Sequence, residues 1–219
     1  MTGTAGKITL VLGGARSGKS TLAEKIAHKR AGDDGVLYVA TLQPLDAEME
    51  ARVVTHRASR PANWRTLETP YEVAAPVFSG LQAEKLVLLD CLTLWTSNLI
   101  LREMMPGFSP EVGITEDLPE PEPNPAPNQP VADINYGKLE VELVREIEQL
   151  VAGLKERRIG LVMVSNEVGM GLVPPYPLGR AYRDLLGRLN QGVAALSDEV
   201  FLVVAGIPVD LKKFQAEID

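Results

Sequence analysis

The sequence predicts an α/β protein whose mostly parallel sheet is covered by helices on both faces. Short apolar runs of the kind expected for strands buried on both faces recur along the 219 residues. Stretches with helical periodicity separate these runs, which favours parallel strands joined by crossover helices. The length suits one domain, and 45% hydrophobic residues are enough for a folded core. We therefore expect a single domain over residues 1–219.

Five apolar runs are predicted to be strands because each is short, β-rich and separated from the next by a helical or turn-rich stretch. The first two are ITLVL and VLYVAT, and the third, KLVLLD, ends in a carboxylate. Their ranges are 8–12, 36–41, 85–90, a segment within 159–169 and a segment within 199–209.

Four helices are predicted between these strands, at 20–30, 46–59, about 138–157 and 180–197. The first has an apolar stripe that includes Leu22 and Ile26, and Gly32 just beyond it is a stop signal. The second begins at Asp46, whose side chain can cap the helix ahead of an acidic first turn. Together these elements give the strand–helix alternation of a parallel sheet.

One stretch, at about 106–133, breaks this alternation. It contains half of the 16 prolines of the chain, and no Lys or Arg occurs between Glu103 and Tyr136. Its PEPEPNPAPNQP core cannot form a helix or a central strand and offers little apolar surface. We interpret it as an acidic surface loop or partly disordered insertion within the domain. Its role is either that of a lineage-specific loop or that of an active-site lid or partner-binding arm.

Composition limits the partners and the location. The net charge of −7 argues against a dedicated nucleic-acid binder, so an anionic ligand needs a local basic cluster. Cys91 is the single cysteine, which excludes an intrachain disulfide and suits a reducing cytoplasm. No apolar run approaches the ~18–20 residues of a membrane span. We expect a cytoplasmic protein with no nucleic-acid partner and no membrane span.

The segment GGARSGKS at 13–20 fits the pattern G-x-x-x-x-G-K-[ST] and lies between a predicted strand and a predicted helix. Glycines let the backbone curl so that N–H groups point at phosphate oxygens, while the lysine reaches the outer phosphates and the serine hydroxyl binds Mg²⁺. The pattern predicts a P-loop nucleotide site in which Lys19 is catalytic. Its residues are Gly13, Gly14, Ala15, Arg16, Ser17, Gly18, Lys19 and Ser20.

Asp90, at the end of KLVLLD, is the candidate second ligand of Mg²⁺ beside Ser20. In P-loop proteins a carboxylate at the end of a neighbouring strand holds the metal or its water shell. An ordinary strand-terminal aspartate is the alternative. The chain lacks the D-x-x-G and N-K-x-D patterns of signalling GTPases, since DCLT begins at the aspartate and SNEV stands at 165–168. Among the activities of P-loop proteins, we therefore favour the transfer of a phosphoryl or nucleotidyl group to a small molecule.

His56, one of two histidines in the chain, lies in the segment THRASRP at 55–61. Three arginines are close to it in the sequence: Arg52, Arg57 and Arg60. Nearby cations favour the neutral imidazole, which beside phosphate-binding guanidinium groups can act as a nucleophile towards phosphorus. The alternative is a solvated basic helix end with an incidental histidine. The other histidine, His28, has no such surroundings and is expected on the surface of the first helix.

Beyond the phosphate motif, five segments of the chain are characteristic when taken together. They are LVLGGARSGKSTLAE, VLYVATLQPLDAEMEARVVTHRASRPANWRTLETP, LLDCLTLWTSNLI, VSNEVGMGLVP and GRAYRDLLGRLNQGVAALSDEVFLVVAGIPV. Together they closely resemble the bifunctional adenosylcobinamide kinase/adenosylcobinamide-phosphate guanylyltransferase family of cobalamin biosynthesis. The resemblance covers nearly the whole chain except its start and the Pro-rich insertion, which stands where the family has a shorter link.

The resemblance implies a RecA-like parallel sheet, a homotrimer and two reactions. In the first, ATP or GTP phosphorylates the aminopropanol hydroxyl of adenosylcobinamide. In the second, GMP passes from GTP to a histidine with release of pyrophosphate, and then to adenosylcobinamide phosphate, giving adenosylcobinamide-GDP. The guanylylated histidine of the family matches His56.

The same matching places further residues around the nucleotide. They are Ala40, Thr41, Leu42, Arg57, Ala58, Ser59, Arg60, Glu68 and Asp90. It also places Asn166 and Glu167, where the fourth predicted strand ends, near the site.

Two alternatives stay open on the sequence. One is a P-loop kinase of another metabolite, in which His56 only binds phosphate. The other is a nucleotide-dependent regulatory or assembly module of the RecA type without a small-molecule substrate. A covalent nucleotide on His56 would distinguish the bifunctional transferase from both alternatives. ATP consumption that depends on cobinamide would distinguish either kinase interpretation from the regulatory or assembly module.

Overall fold

Seven strands form one sheet in the part of the chain that the computed structural model describes, residues 6–42, 60–104 and 134–217. Their bounds are β1 (Ile8–Gly13), β2 (Val36–Ala40), β3 (Arg65–Glu68), β4 (Leu86–Asp90), β5 (Gly160–Asn166), β6 (Glu199–Val204) and β7 (Ile207–Asp210). The spatial order is β3-β2-β4-β5-β1-β6-β7, and every neighbouring pair is parallel except β6 and β7. The predicted mostly parallel sheet is confirmed.

Five α-helices occur in the same described ranges. They are α1 (Lys19–Ala31), α2 (Ala74–Gly80), α3 (Leu92–Met104), α4 (Tyr136–Glu156) and α5 (Pro177–Leu196). Two short 3₁₀ helices, Gly32–Asp34 and Leu211–Phe214, follow α1 and β7. None of the helices in these ranges combines the length and hydrophobicity needed to cross a bilayer.

The helices cover both faces of the sheet, as predicted, because successive strand residues point to opposite sides. On one face, the small buried residues Ala23 and Ala27 of α1 belong to the same cluster as Leu88 of β4. On the other face, α2 to α5 bury residues such as Trp95 in the cluster that contains Leu89. The adjacent positions 88 and 89 thus belong to two separate core layers, one on each side of the sheet.

Local sequence signals set the limits of α1 and α4, which agree with the predicted ranges 20–30 and 138–157. α1 follows Gly18 (φ 93°) and ends before Gly32 (φ 56°), and this left-handed region favours glycine. α4 begins after Asn135, whose side chain accepts a hydrogen bond from the Lys138 N–H at 2.9 Å and so caps the helix. Glycine residues therefore bound α1, the helix that follows the phosphate motif, whereas an asparagine side chain caps α4.

The strand predicted within 199–209 is confirmed as β6, but a second strand that begins in the same range, β7, was not predicted. The chain reverses at Ala205 and Gly206, which have φ values of 50° and 80°, and returns as the antiparallel strand β7. Positive φ at both central residues is the geometry of a two-residue type I′ hairpin. Three further elements, β3, α2 and α3, have no counterpart among the predicted strands and helices. The predicted helix at 46–59 and the Pro-rich insertion at 106–133 lie outside the described residues.

An ion-pair cluster joins α1 to β6 at the edge of the sheet where the parallel strands begin. Glu199 accepts hydrogen bonds from Lys7 Nζ at 2.5 Å, from Thr9 Oγ1 at 2.9 Å and from the Arg30 guanidinium. Burial alone would raise the pKa of Glu199, but the hydrogen bonds from Lys7 and Arg30 lower it to about 2. The cluster fixes the C-terminal end of α1 at the edge opposite to its phosphate-motif end.

Candidate functional site

The phosphate loop predicted from GGARSGKS connects β1 to α1. β1 ends at Gly13, and α1 begins at Lys19, with the Leu22 N–H donating to the carbonyl of residue 18 at 3.0 Å. Arg16 and Gly18 have φ values of 56° and 93°, so the backbone passes through left-handed conformations within the loop. Such turns direct successive N–H groups into a concavity that binds anions, and the N terminus of α1 adds to the preference for negative charge.

Hydrogen bonds from two other parts of the sheet hold the loop in shape. Glu167, just past β5, donates its N–H to the Gly13 carbonyl at 3.1 Å. Gly206, in the turn between β6 and β7, donates its N–H to the Ser17 carbonyl at 2.8 Å. The loop is therefore preorganised by its neighbours, which reduces the ordering cost of nucleotide binding.

We expect Gly13→Ala to distort the phosphate loop. A Cβ at position 13 would overlap the Ser17 side chain and lie 2.8 Å from the Val203 carbonyl oxygen. Overpacking of this kind costs about 1–3 kcal/mol, and each kcal/mol lowers the melting temperature of a domain of this size by about 2–4 °C. Because the loop must shift, ATP and GTP should also bind about tenfold more weakly, a loss of roughly 1.4 kcal/mol. Thermal unfolding and equilibrium nucleotide binding measure the two effects.

Gly14→Ala is the matched control for this prediction. A Cβ at position 14 has no atom within 4 Å, so the variant should melt at the temperature of the unaltered chain. Equal melting temperatures for both variants, together with full nucleotide affinity of Gly13→Ala, would show that position 13 tolerates a side chain and that the prediction is wrong.

Ala40, Glu68 and Asp90 lie side by side where three strands end. Ala40 of β2 is the register partner of Glu68 in β3 and of Asp90 in β4. Residues paired across parallel strands in this way point to the same face of the sheet. For this trio it is the face covered by α1, because Ala40 packs against the cluster that contains Ala23. Three predicted site residues thus come together on the side of the sheet that carries the phosphate loop helix.

Tyr38 joins Asp90 to Arg60, the member of the predicted arginine cluster that the structure describes. The Tyr38 hydroxyl donates to Asp90 Oδ2 at 2.8 Å, and the Arg60 guanidinium carbon lies 3.3 Å from the centroid of the tyrosine ring. Burial, followed by the charge of Asp90, raises the pKa of Tyr38 well above its usual value, so the hydroxyl stays protonated as a donor. Tyr38 was not among the predicted site residues. Its one signal is a hydroxyl-bearing aromatic residue in the otherwise aliphatic run VLYVA.

Lys19 lies in the phosphate loop, and its charge also acts on Cys91, the residue after β4. Its Nζ donates to the Gly14 carbonyl at 3.1 Å, which keeps the ammonium group over the loop. Burial and the charge of Asp90 raise the pKa of the adjacent Cys91 thiol to about 11, and the charge of Lys19 acts in the opposite direction. The ammonium group is therefore within electrostatic reach of the strand end at Asp90.

The donor set of the site suits Mg²⁺. Ser20, in the first turn of α1, offers a hydroxyl, and Asp90 offers a carboxylate oxygen besides the one that Tyr38 contacts. Among the described residues no group of three or more His, Cys, Asp or Glu side chains could hold a metal alone. Mg²⁺ typically uses one or two protein ligands together with waters and substrate phosphates, so one hydroxyl and one carboxylate fit this ion.

Thr41 is placed differently from the residues on either side of it. It is fully buried, its Oγ1 donates to the Cys91 carbonyl at 2.8 Å, and the Cys91 N–H donates back to Oγ1 at 2.9 Å. Its carbonyl accepts a hydrogen bond from Asn98 Nδ2 at 2.7 Å. The side chain thus fixes the junction between β4 and α3, whereas Ala40 and Leu42 are partly exposed. A nucleotide contact by Thr41 stays a prediction.

Four predicted site residues lie outside the described part of the chain. They are His56, Arg57, Ala58 and Ser59. Arg60 begins the described segment that follows them, and it borders a shallow cavity of about 360 Å³ whose other lining residues include Trp64 and Thr66. The roles given to the four residues by the resemblance therefore stay predictions.

The end of β5 brings polar groups next to the phosphate loop. β5 lies between β1 and β4, and its last residue, Asn166, is the register partner of Gly13. The Asn166 N–H donates to Thr93 Oγ1 at 2.7 Å, and Asn190 Nδ2 donates to the Asn166 carbonyl at 3.0 Å. Asn166 Oδ1 and Ser17 Oγ are buried without a hydrogen-bond partner among the described residues. Buried polar atoms normally have one, so these atoms mark unused hydrogen-bonding capacity at the site.

Comparison with known proteins extends over most of the chain. The family model described as cobinamide kinase / cobinamide phosphate guanyltransferase matches residues 9–211. The chain is 39% identical over 204 residues to the bifunctional adenosylcobalamin biosynthesis protein CobU of Escherichia coli (strain K12), which covers 93% of this chain and 98% of that protein. It is 39% identical over 203 residues to the corresponding protein CobP of Pseudomonas aeruginosa, covering 93% of this chain and 96% of that one. Among solved structures, the flagellar accessory protein FlaH of Methanocaldococcus jannaschii is similar with a TM-score of 0.43 and 11% identity, covering 93% of this chain and 75% of that one.

Proposed function

The chain belongs to the cobinamide kinase / cobinamide phosphate guanyltransferase family, and on that premise we propose that it is a transferase that performs both reactions in cobalamin biosynthesis. ATP or GTP phosphorylates the aminopropanol hydroxyl of adenosylcobinamide. GMP from GTP is then attached to the new phosphate, and the product is adenosylcobinamide-GDP. The observation that carries the proposal is the complete phosphate loop with Asp90 on the same face of the sheet.

In the kinase reaction, the described residues bind and orient the donor nucleotide. The N–H groups of the loop and Lys19 hold the phosphates, while the acceptor oxygen forms a bond to the γ-phosphorus. The bond between the γ-phosphorus and the bridging oxygen breaks, the nucleoside diphosphate leaves with the electron pair, and the hydroxyl proton passes to solvent. Mg²⁺ held by Ser20 and Asp90 would supply positive charge at the β- and γ-phosphates.

In the guanylyl transfer, His56 is the proposed nucleophile. Its imidazole nitrogen forms a bond to the α-phosphorus of GTP, the bond between that phosphorus and the oxygen bridging to the β-phosphate breaks, and pyrophosphate is released. An oxygen of adenosylcobinamide phosphate then attacks the same phosphorus. The bond between phosphorus and the imidazole nitrogen breaks, which regenerates the free histidine. A covalent intermediate divides one difficult displacement into two steps, each with a good leaving group.

The position of Arg60 supports a role for the histidine at this edge of the sheet. Arg60 contacts Tyr38, which in turn contacts Asp90. His56 precedes Arg60 by four positions in the sequence, and four residues of extended chain span at most about 14 Å. Arg57 and Arg60 would offset negative charge on the transferred phosphate. We propose that Ala58 and Ser59 also contact the phosphate, through their backbone N–H groups.

The finer properties implied by the resemblance complete the proposal. We propose a homotrimer that uses Mg²⁺ and acts without nucleic acid, because the net charge of −7 gives no general attraction for phosphate backbones. A cytoplasmic location is supported by Cys91, which is a free, buried thiol and suits a reducing compartment.

Two coupled assays on the unaltered chain test the proposed function. Protein with ATP and Mg²⁺ should form ADP only when adenosylcobinamide is present, and mass spectrometry should find one added phosphoryl group on the corrinoid. Addition of GTP should then convert this product into the GDP conjugate with release of pyrophosphate. ATP consumption that leaves the corrinoid unchanged would contradict the kinase assignment, and failure to form the conjugate from adenosylcobinamide phosphate would contradict the guanylyl transfer.

A further inference from the structure

Residues 168–176 form an apolar loop between β5 and α5 that carries large apolar side chains in solvent. The exposed fractions are 79% for Met170, 97% for Leu172, 64% for Val173 and 47% for Tyr176. Single exposed apolar residues are ordinary on protein surfaces, but a contiguous group of them marks an interaction site. The phosphate chemistry described above uses none of these side chains.

Hydrogen bonds to the backbone of the apolar loop hold these side chains outward. Arg180 Nη1 donates to the Pro174 carbonyl at 3.1 Å and to the Pro175 carbonyl at 2.7 Å. Arg183 Nη1 donates to the Gly171 carbonyl at 3.4 Å. Both arginines belong to α5, so the helix fixes the path of the loop across the surface. The exposure of the apolar side chains is therefore a property of the fold.

The apolar loop begins at the phosphate loop. Glu167, the residue before it, donates its N–H to the Gly13 carbonyl at 3.1 Å. At its other end, Tyr176 lines a shallow cavity of about 210 Å³ together with Leu178 and Tyr182 of α5 and residues of α3. A ligand resting on this surface would have one edge beside the bound phosphates.

We propose that the apolar loop is the surface on which the corrinoid ring of adenosylcobinamide rests during both reactions. The inference rests on the proposed function. A corrinoid is a broad, methyl-bearing ring whose reacting hydroxyl or phosphate lies at the end of a flexible side chain. The ring is too large for the phosphate loop and needs an apolar surface beside it, within reach of that side chain. A second copy of this chain would also cover apolar residues, but it has no reacting group to present at the phosphate loop, whereas the corrinoid carries one on its side chain.

The double variant Met170→Ser, Leu172→Ser tests the surface. Both side chains are exposed, so the changes should not affect folding. The KM for adenosylcobinamide in the kinase reaction should rise about tenfold or more, because burial of these two side chains is lost from the complex. The KM for ATP should stay within about twofold, and covalent labelling by GTP in the absence of corrinoid should be unchanged. Equilibrium dialysis with adenosylcobinamide and no nucleotide should show the same loss of affinity.

Phe214→Ser is the matched control, because this side chain is 77% exposed and follows β7. β7 runs antiparallel to its neighbour, so Phe214 lies at the edge where the parallel strands begin, away from the phosphate loop. It should leave the corrinoid KM unchanged.

Each other outcome would overturn the inference. An unchanged corrinoid KM for the double variant, with full activity of the unaltered chain, would show that the apolar loop does not bind the corrinoid. The proposed function would not be contradicted by that result. A parallel rise in the KM for ATP would show a disturbed phosphate loop. A change in assembly state by sedimentation, without a change in corrinoid KM, would make the surface a contact between copies. If the unaltered chain leaves adenosylcobinamide unphosphorylated, the proposed function fails and the inference fails with it.

Discussion

Replacing His56 with alanine is expected to abolish covalent labelling of the chain by GTP labelled at the α-phosphate. The imidazole is the proposed nucleophile, and alanine offers no atom that could form the bond to phosphorus. Guanylyl transfer to adenosylcobinamide phosphate should fall by about 10³-fold or more, as is usual when a covalent nucleophile is removed. Kinase activity should persist, because the phosphate loop is intact. Label retained on the denatured chain and ADP formation with adenosylcobinamide measure the two activities.

His28→Ala is the matched control, since the chain has only these two histidines. His28 is an exposed residue of α1, and its variant should be labelled as fully as the unaltered chain. The label should resist base and be lost in acid, as a phosphoramidate is. Full labelling of His56→Ala would move the nucleophile to another residue and contradict the proposed guanylyl transfer.

Replacing Lys19 with alanine is expected to reduce the kinase rate by about 10²–10³-fold, the usual effect of removing one preorganised donor from a developing charge. The ammonium group sits over the phosphate loop, where it donates to the Gly14 carbonyl, and alanine leaves the departing diphosphate without this charge. The melting temperature should change little, because Lys19 is not buried in the core and its one hydrogen bond is to a residue five positions away in the same loop. Initial rates with saturating adenosylcobinamide measure the loss.

Lys29→Ala, in the last turn of the same helix, controls for the loss of one positive charge from α1. Lys29 is exposed and lies at the end of the helix opposite to the phosphate loop, so its variant should retain the kinase rate. Equal rates for both variants would mean that the loop N–H groups alone stabilise the transferred phosphate, and the catalytic role of Lys19 would be withdrawn.

The central part of the sheet was predictable because burial on both faces leaves a plain signature. β1, β2, β4 and β5 are continuous apolar runs in the sequence, and each lies between two other strands. β3 has no such signature, since it is a four-residue edge strand, RTLE, without a buried residue. Its pairing with β2 comes from tertiary context that no local pattern records.

Two other errors have local causes. α3 has the sequence LTLWTSNLILREM, and its buried face includes the polar residues Thr93, Thr96 and Asn98, which obscure the apolar periodicity that separates a helix from a strand. The hairpin turn at Ala205 and Gly206 lacks the Asn-Gly or Asp-Gly signal of a type I′ turn, so one strand was predicted where two occur. The positive φ of an alanine is set by the surrounding sheet.

In the candidate site, the position of the loop GGARSGKS between a strand and a helix was predictable, because its glycine pattern suits the left-handed backbone that the loop adopts, and nucleotide binding by these residues stays a prediction. The alignment of Ala40, Glu68 and Asp90 depends on strand register, which the sequence left undetermined. Tyr38 was missed because its role arises from two partners distant in sequence, Asp90 and Arg60. Contacts of this kind appear only once the strand order is known.

The hydrogen bond between Gly206 and Ser17 bears on how shortened versions of this chain should be interpreted. A chain that ended after β6 would keep six parallel strands and every residue of the P-loop motif, yet it would lose the donor that holds the Ser17 carbonyl. Nucleotide binding would weaken although no ligand-contacting residue had been deleted. Deletion mapping would then wrongly assign a catalytic role to the C-terminal segment, whose contribution is the hydrogen bond from the Gly206 N–H that supports the phosphate loop.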